Sequence, residues 1–183
     1  LDAITTGDKN TGVGYNALTG VTSGSWNTAV GHEAGKAMTT GADNTAIGLS
    51  AGAAITTGTR NIAIGGVALD NVDSENDNLA IGYAALGGAI DGGELNVAIG
   101  NYSLDALTTG DRNVGVGYMS LSANTTGYYN TATGVNALKR NTTGYLNVAM
   151  GESSLDANTT GNQNVAIGTY SLTSNTTAGG NTA

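Results

Sequence analysis

The sequence predicts an all-β fold, a parallel β-solenoid or β-roll of about ten 17-residue coils, and three observations predict it. A pentapeptide of the form Asn-x-Ala-Ile/Val-Gly begins at Asn10, Asn27, Asn44, Asn61, Asn78, Asn96, Asn113, Asn130, Asn147 and Asn164, and Asn181 opens a further copy. The spacing is 17 residues at every step except Asn78 to Asn96, which is 18. The side chains are small: 30 Gly among 183 residues, no Phe, one Trp and 5% aromatic residues leave too little bulk for a conventional interdigitated core. A fixed period of this kind marks a repeat architecture. Seventeen residues cannot hold two helices and their turns. One helix per repeat is opposed by the Gly at the fifth position, the Gly of the Thr-Thr-Gly turn and the β-branched residues. A compact β-coil remains, each coil stacked on the next at about 4.8 Å and expected to hold two short strands and two turns.

The elements follow in cassette order, N-x-A-I-G-x-x-A-L-x-x-x-T-T-G-x-x. The opening Asn is either an Asx-type turn residue or a rung of a stacked amide ladder. Position three is Ala or Gly, and position four is mostly Ile or Val: Val30, Ile47, Ile64, Ile81, Ile99, Val116 and Ile167, with Thr133 and Met150 as departures. Neighbouring strand residues point to opposite faces, so both faces of this strand are apolar and both should be covered. One lines the coil, and the economical cover for the other is a second copy of the chain. Position nine is mainly Leu, as at Leu104, Leu121, Leu138 and Leu155, with Gly35 and Gly52 in its place near the N-terminus. It reads as a second short strand or bend carrying the largest recurring apolar group. With the position-four residues it forms the expected repeat core. Thr-Thr-Gly at positions thirteen to fifteen is a turn. Position twelve is apolar from Val21 to Leu107 and becomes Asn at Asn124, Asn141, Asn158 and Asn175, which predicts a corner packed in the first part and solvent-facing or amide-laddered in the second.

Residues 1–183 thus form a single array of 17-residue cassettes, with one 18-residue cassette at 78–95 and an irregular turn or bulge expected over 70–95. The array opens and closes inside cassettes, so a longer parent chain is expected.

Composition excludes much chemistry. Zero Cys removes disulfides, thiolate nucleophiles and zinc knuckles. Six Lys and Arg against a net charge of -8 offer no basic patch for nucleic acid. No apolar stretch approaches the roughly 20 residues needed to cross a bilayer, and the opening LDAITTGDKN does not read as a signal peptide. His32, as the only His, cannot form a His cluster within one chain. Asp70, Asp73, Glu75 and Asp77 could offer oxygen ligands to Ca²⁺ but read better as an acidic solvated turn. No cofactor is expected, and no enzyme: these carboxylates lack the support that acid–base work requires, and GxxxxGK[ST] is absent. The Asn-x-Ser/Thr triplets at Asn101, Asn124, Asn141, Asn158 and Asn175 match glycan acceptors, four of them as a by-product of the cassette.

The Ala-Ile-Gly pentapeptides resemble the head repeats of trimeric autotransporter adhesins. The whole cassette, as from Asn130 through Leu138 to Gly144, is still more similar to the repeats of bacterial and phage tail-fibre-like proteins. The resemblance covers essentially the whole chain and implies copies intertwined or packed as a homotrimeric fibre. It carries over no catalytic residues.

The expected function is a structural shaft or adhesive segment of an extracellular surface or virion tail fibre, self-associating as a homotrimer or filament and projecting or presenting a surface to a glycan or protein receptor. The alternative is a carbohydrate- or ice-binding solenoid module. Trp26, Tyr128, Tyr129 and Tyr145 are the candidate sugar-stacking residues, and the Thr pairs the candidate ice-facing ranks.

Overall fold

The computed structural model describes residues 3–183. Ten three-residue strands stack in chain order into one parallel sheet. They are β1 (Thr11–Val13), β2 (Thr28–Val30), β3 (Thr45–Ile47), β4 (Ile62–Ile64), β5 (Leu79–Ile81), β6 (Val97–Ile99), β7 (Val114–Val116), β8 (Thr131–Thr133), β9 (Val148–Met150) and β10 (Val165–Ile167). Thr182 adds a parallel bridge beyond β10. Coils are numbered here with their strands, coil 1 opening at Asn10 and coil 10 at Asn164. The register pairs equivalent residues throughout, Ala46 with Ala63 and Ala80 with Ala98, so the extra residue of the fifth coil does not disturb the sheet.

Each coil contains one strand, not two. The Leu segment is a bend, because positions seven and nine both adopt left-handed backbone: φ is 54° at Asn16 and 52° at Leu18, and 57° at Asn136 and 51° at Leu138. Position seventeen does the same, from Lys9 (58°) to Gln163 (57°). Left-handed backbone costs a non-glycine residue roughly 1–2 kcal/mol. Coil-to-coil hydrogen bonding holds it there: Leu18 N donates to Ala34 O at 3.1 Å, and Leu138 N to Ser154 O at 3.0 Å. This geometry also explains why Gly stands at 35 and 52, where φ is 58° and 57°. In those two coils Met38 and Ile55 occupy the space that the Leu fills elsewhere.

The interior of the coil is lined by position three, position eight, the Leu column and position twelve. Ala29, Ala46, Ala63, Ala80 and Ala98 are fully buried, as are Leu104, Leu121, Leu138 and Leu155. The expectation that the position-four residues share this core is corrected. Ile64, Ile81, Ile99 and Val116 are half-buried, and Val30, Ile47 and Ile167 are exposed, at 38%, 38% and 61%. In a three-residue strand the small middle residue points inward, and its larger neighbours at positions two and four both point out. A coil this narrow admits Ala but not Ile on that side.

The opening Asn forms a buried amide ladder. Asn27 Oδ1 accepts from Asn44 N at 3.0 Å and from Asn44 Nδ2 at 3.1 Å, while Asn27 Nδ2 donates to Gly41 O at 2.7 Å. The column continues through Asn113, Asn130, Asn147 and Asn164. Every polar atom of the amide is engaged, which is what permits its complete burial. The position-twelve Asn residues form a second ladder: Asn141 Nδ2 donates to Asn124 Oδ1 at 2.8 Å and to Gly144 O at 2.8 Å. Asn124, Asn141 and Asn158 are fully buried.

The 70–95 segment departs from the others at two places, the turn at Glu75 and the Gly87–Ile90 stretch that takes up the extra residue. Glu75 stands where every other coil has Gly except coil 10, which has Ala178, and it is buried, contrary to a solvated turn. In most other coils the position-thirteen carbonyl of the next coil accepts two or three amide protons, as Thr39 O does from Thr22 N, Ser23 N and Gly24 N. Here the Glu75 carboxylate takes over: Oε2 accepts from Asp73 N and Ser74 N, and Oε1 from Gly92 N, each at 3.0 Å.

Candidate functional site

The outward side chains form three neighbouring flanks. On the sheet face, positions two and four give two ranks running the length of the stack. Position two is Thr11, Thr28 and Thr45 in the first coils, then Ile62, Leu79, Val97 and Val114, then Thr131, Val148 and Val165. Position four is Val or Ile except at Thr133 and Met150. Together they make a flat apolar strip interrupted in coil 8, where both residues are Thr. Beside it runs position six, with Tyr15, Leu49, Tyr83, Tyr118 and Val135 all exposed. Tyr15 stacks on His32 at 5.1 Å between centroids, and Tyr102 lies edge-on to both Tyr83 and Tyr118. On the other side runs position seventeen, a mixed rank in which the charged Lys9, Asp43, Arg60, Asp77 and Arg112 stand among the exposed Trp26, Leu95, Tyr129 and Leu146.

The four aromatic residues singled out for sugar stacking do not form one site. Tyr128, Tyr129 and Tyr145 cluster in coils 7 and 8, while Trp26 lies at the end of coil 1. Tyr128 and Tyr145 stack on each other, with centroids 4.8 Å apart and planes 1° from parallel. Residues 17 apart repeat along the rod axis, so these rings face up and down the rod and present their edges to solvent. The Arg112 guanidinium lies 5.4 Å from the Tyr129 ring centre, and Lys9 Nζ sits 3.7 Å from that of Trp26. Each of these rings thus has one face occupied, by a second ring or by a neighbouring cation, while Trp26 and Tyr129 stay about half exposed.

The Thr pairs divide likewise. The first Thr of the pair donates its hydroxyl to the next coil: Thr39 Oγ1 to Thr56 O at 3.1 Å, Thr125 Oγ1 to Thr142 O at 3.1 Å and Thr142 Oγ1 to Thr159 O at 3.0 Å. The exposed rank consists of the second residue alone, and Ser23, Ser74 and Gly92 break the Thr column. That is one column of hydroxyls, not a two-rank plane.

The acidic group is dispersed. Glu75 is consumed by backbone amides, Asp73 accepts from the Thr56 hydroxyl, and Asp77 takes a bidentate pairing from Arg60 at 2.6 and 2.8 Å, which holds its carboxyl below the usual range. Among the described residues no cluster of His, Asp or Glu is arranged to hold a metal ion, and no cavity opens in the coil. Among the described residues no helix is long and apolar enough to cross a membrane. Of the glycan triplets, Asn124, Asn141 and Asn158 are sealed in the second ladder. Asn101 is exposed, and its Oδ1 accepts from Tyr83 N at 2.9 Å.

Sequence reasoning missed the role of Glu75 and the mutual stacking of the tyrosines. The second had a readable signal, since Tyr128 and Tyr145 stand one period apart. Comparison with protein-family models, with curated proteins and with solved structures returns no match.

Proposed function

We propose that this chain is a shaft segment of an extracellular surface or virion tail fibre, built from parallel copies that pack as a homotrimer through the outer sheet face. It holds a binding tip away from the surface or presents its own flanks to a receptor. The observation that carries the reading is the apolar strip on the outside of an unbroken coaxial stack. Each coil repeats the contacts of the last, so the array spans distance at a constant cross-section, with nine steps of about 4.8 Å giving roughly 43 Å. A single coil cannot cover the strip, whereas a parallel copy with the same rise covers it along its whole length.

Two measurements test it. An antibody against the purified segment should label the surface of intact cells or virions of the source, and exclusively cytosolic labelling would rule the reading out. Sedimentation should give an oligomeric mass for the wild-type chain and a monomeric mass for Ile64→Asp with its β-sheet circular dichroism intact. Ile64 sits on the strip and not in the coil interior, so its replacement by a charge opposes assembly more than folding.

A further inference from the structure

We infer that the outer sheet face packs on a second, parallel copy of this chain in one register, and that Thr131 and Thr133 of coil 8 set that register. The inference rests on the self-association proposed above and specifies it. From the position-seventeen rank to the position-six rank the face measures roughly 15–20 Å across. Over ten coils that is on the order of 700–800 Å², what each partner contributes to an interface of standard size. The occupant is a copy because the strip repeats with the coil spacing along its whole length, and a second chain of this sequence matches that spacing coil for coil.

A repetitive strip has a register problem. Two uniform ranks can slide past one another by one coil, about 4.8 Å, and recover nearly every contact. A unique register needs a mark. Coils 4 to 7 are apolar at both positions, from Ile62 and Ile64 to Val114 and Val116, and coils 9 and 10 are apolar again. Between them, both outward residues of coil 8 are Thr. Their backbone is fully engaged: Thr131 N donates to Asn147 O, and Thr133 O accepts from Gly151 N, each at 2.8 Å. Ala132 between them is buried in the coil, so both hydroxyls lie on the outer face, and among the described residues neither finds a hydrogen-bond partner within its chain. In register, parallel copies bring coil 8 against coil 8, where hydroxyl meets hydroxyl. A slip of one coil presses the same hydroxyls against Val114 and Val116 on one side and Val148 and Met150 on the other. Antiparallel copies in full overlap would set coil 8 against coil 3, where Thr45 and Ile47 offer one hydroxyl in place of two. A single polar layer in an apolar seam fixes the register of coiled coils by the same physics.

The test places a photoreactive benzophenone side chain at position 135, on the exposed edge of coil 8. The labelled full chain is mixed with heavy-isotope chains, so that intermolecular products are told apart by mass. In the otherwise unaltered chain, crosslinks should fall on residues 130–146 of the second copy. In the Thr131→Val, Thr133→Val double variant they should spread to coils 7 and 9 while the oligomeric mass is kept, and Thr131→Ser, Thr133→Ser should return them to coil 8. If the Val variant still labels coil 8 alone, or the parent already labels several coils, the register assignment is overturned while self-association stands. A folded monomer at every concentration, with no intermolecular product, overturns both.

Discussion

Coils 1 to 6 and coils 7 to 10 share one backbone and fill the same corner in opposite ways. In the first group position twelve is Val21, Met38, Ile55, Val72, Ile90 and Leu107, all buried against the Leu column or its Gly replacements. In the second it is a ladder of amides, in which Gly144 O accepts at once from Asn130 and Asn141, each at 2.8 Å. The apolar corner is tolerant of its neighbours, because dispersion and water exclusion need only volume. The amide corner is not, because each rung completes the next. A buried amide without a rung above or below leaves a polar atom unpaired and costs about 1–3 kcal/mol for each such group. The two solutions therefore segregate into blocks and do not alternate coil by coil.

The sharpest way to break this picture is Val72→Asn. Its neighbours in the column are Ile55 and Ile90, so the amide has no ladder to join, and the loss should be about 3 kcal/mol in urea unfolding monitored by circular dichroism. Asn141→Leu attacks the other block. It leaves Asn124 Oδ1 without its donor but buries new apolar surface, so about 1–2 kcal/mol should be lost by the same measurement. Leu107→Asn sharpens the comparison, since Leu107 is the last apolar member and the new amide stacks on Asn124. It should cost less than about 1 kcal/mol. If Val72→Asn and Leu107→Asn prove equally harmful, the block argument is wrong.

The smallest effect concerns pH. Asp70 and Asp105, at position ten of coils in the apolar block, have carboxyls pushed up by burial. A raised folded value means that the folded chain keeps these protons longer than the unfolded one. Below the ordinary carboxylate range both states are protonated and the residues cost nothing. As pH rises through the unfolded and then the folded value, ionisation penalises the fold. Asp70→Asn with Asp105→Asn should therefore raise the melting temperature at neutral pH by a degree or two, about the effect of a few tenths of a kcal/mol, and the gain should fade as the solution is acidified towards full protonation.

Much of this was legible in the sequence. The phase of the Asn column, the Gly turns and the switch at position twelve all depend on residue type at a fixed spacing, which a chain displays directly. The Leu segment was open between strand and bend, because L-residues avoid left-handed backbone and a Leu column fits a strand equally well. Only hydrogen bonds from the neighbouring coil make that conformation affordable at Leu18 or Leu138. The choice between turn and ladder for Asn27 was also open, since both use the same amide and differ only in what lies one coil away. Glu75 looked solvated among acidic neighbours, and its capture of three backbone amides depends on a carbonyl being displaced in the longer coil that follows. The outward direction of Ile64 follows from the strand having three residues, a boundary that composition does not reveal.

The hydrogen bonds that join coil to coil run along the rod, and this decides how the molecule answers a pull at its two ends. Tension loads the bonds of the terminal coil one after another, as in opening a zipper, and does not shear a whole strand at once. Each coil that peels away releases 17 residues, roughly 55–60 Å of extended chain, in place of about 5 Å of rod. A single chain under load would therefore lengthen in equal steps at a low and constant force, dissipating work while the remaining coils stay folded. Copies bound side by side would have to peel together, so the force at which stepping begins would rise with the number of chains in the bundle.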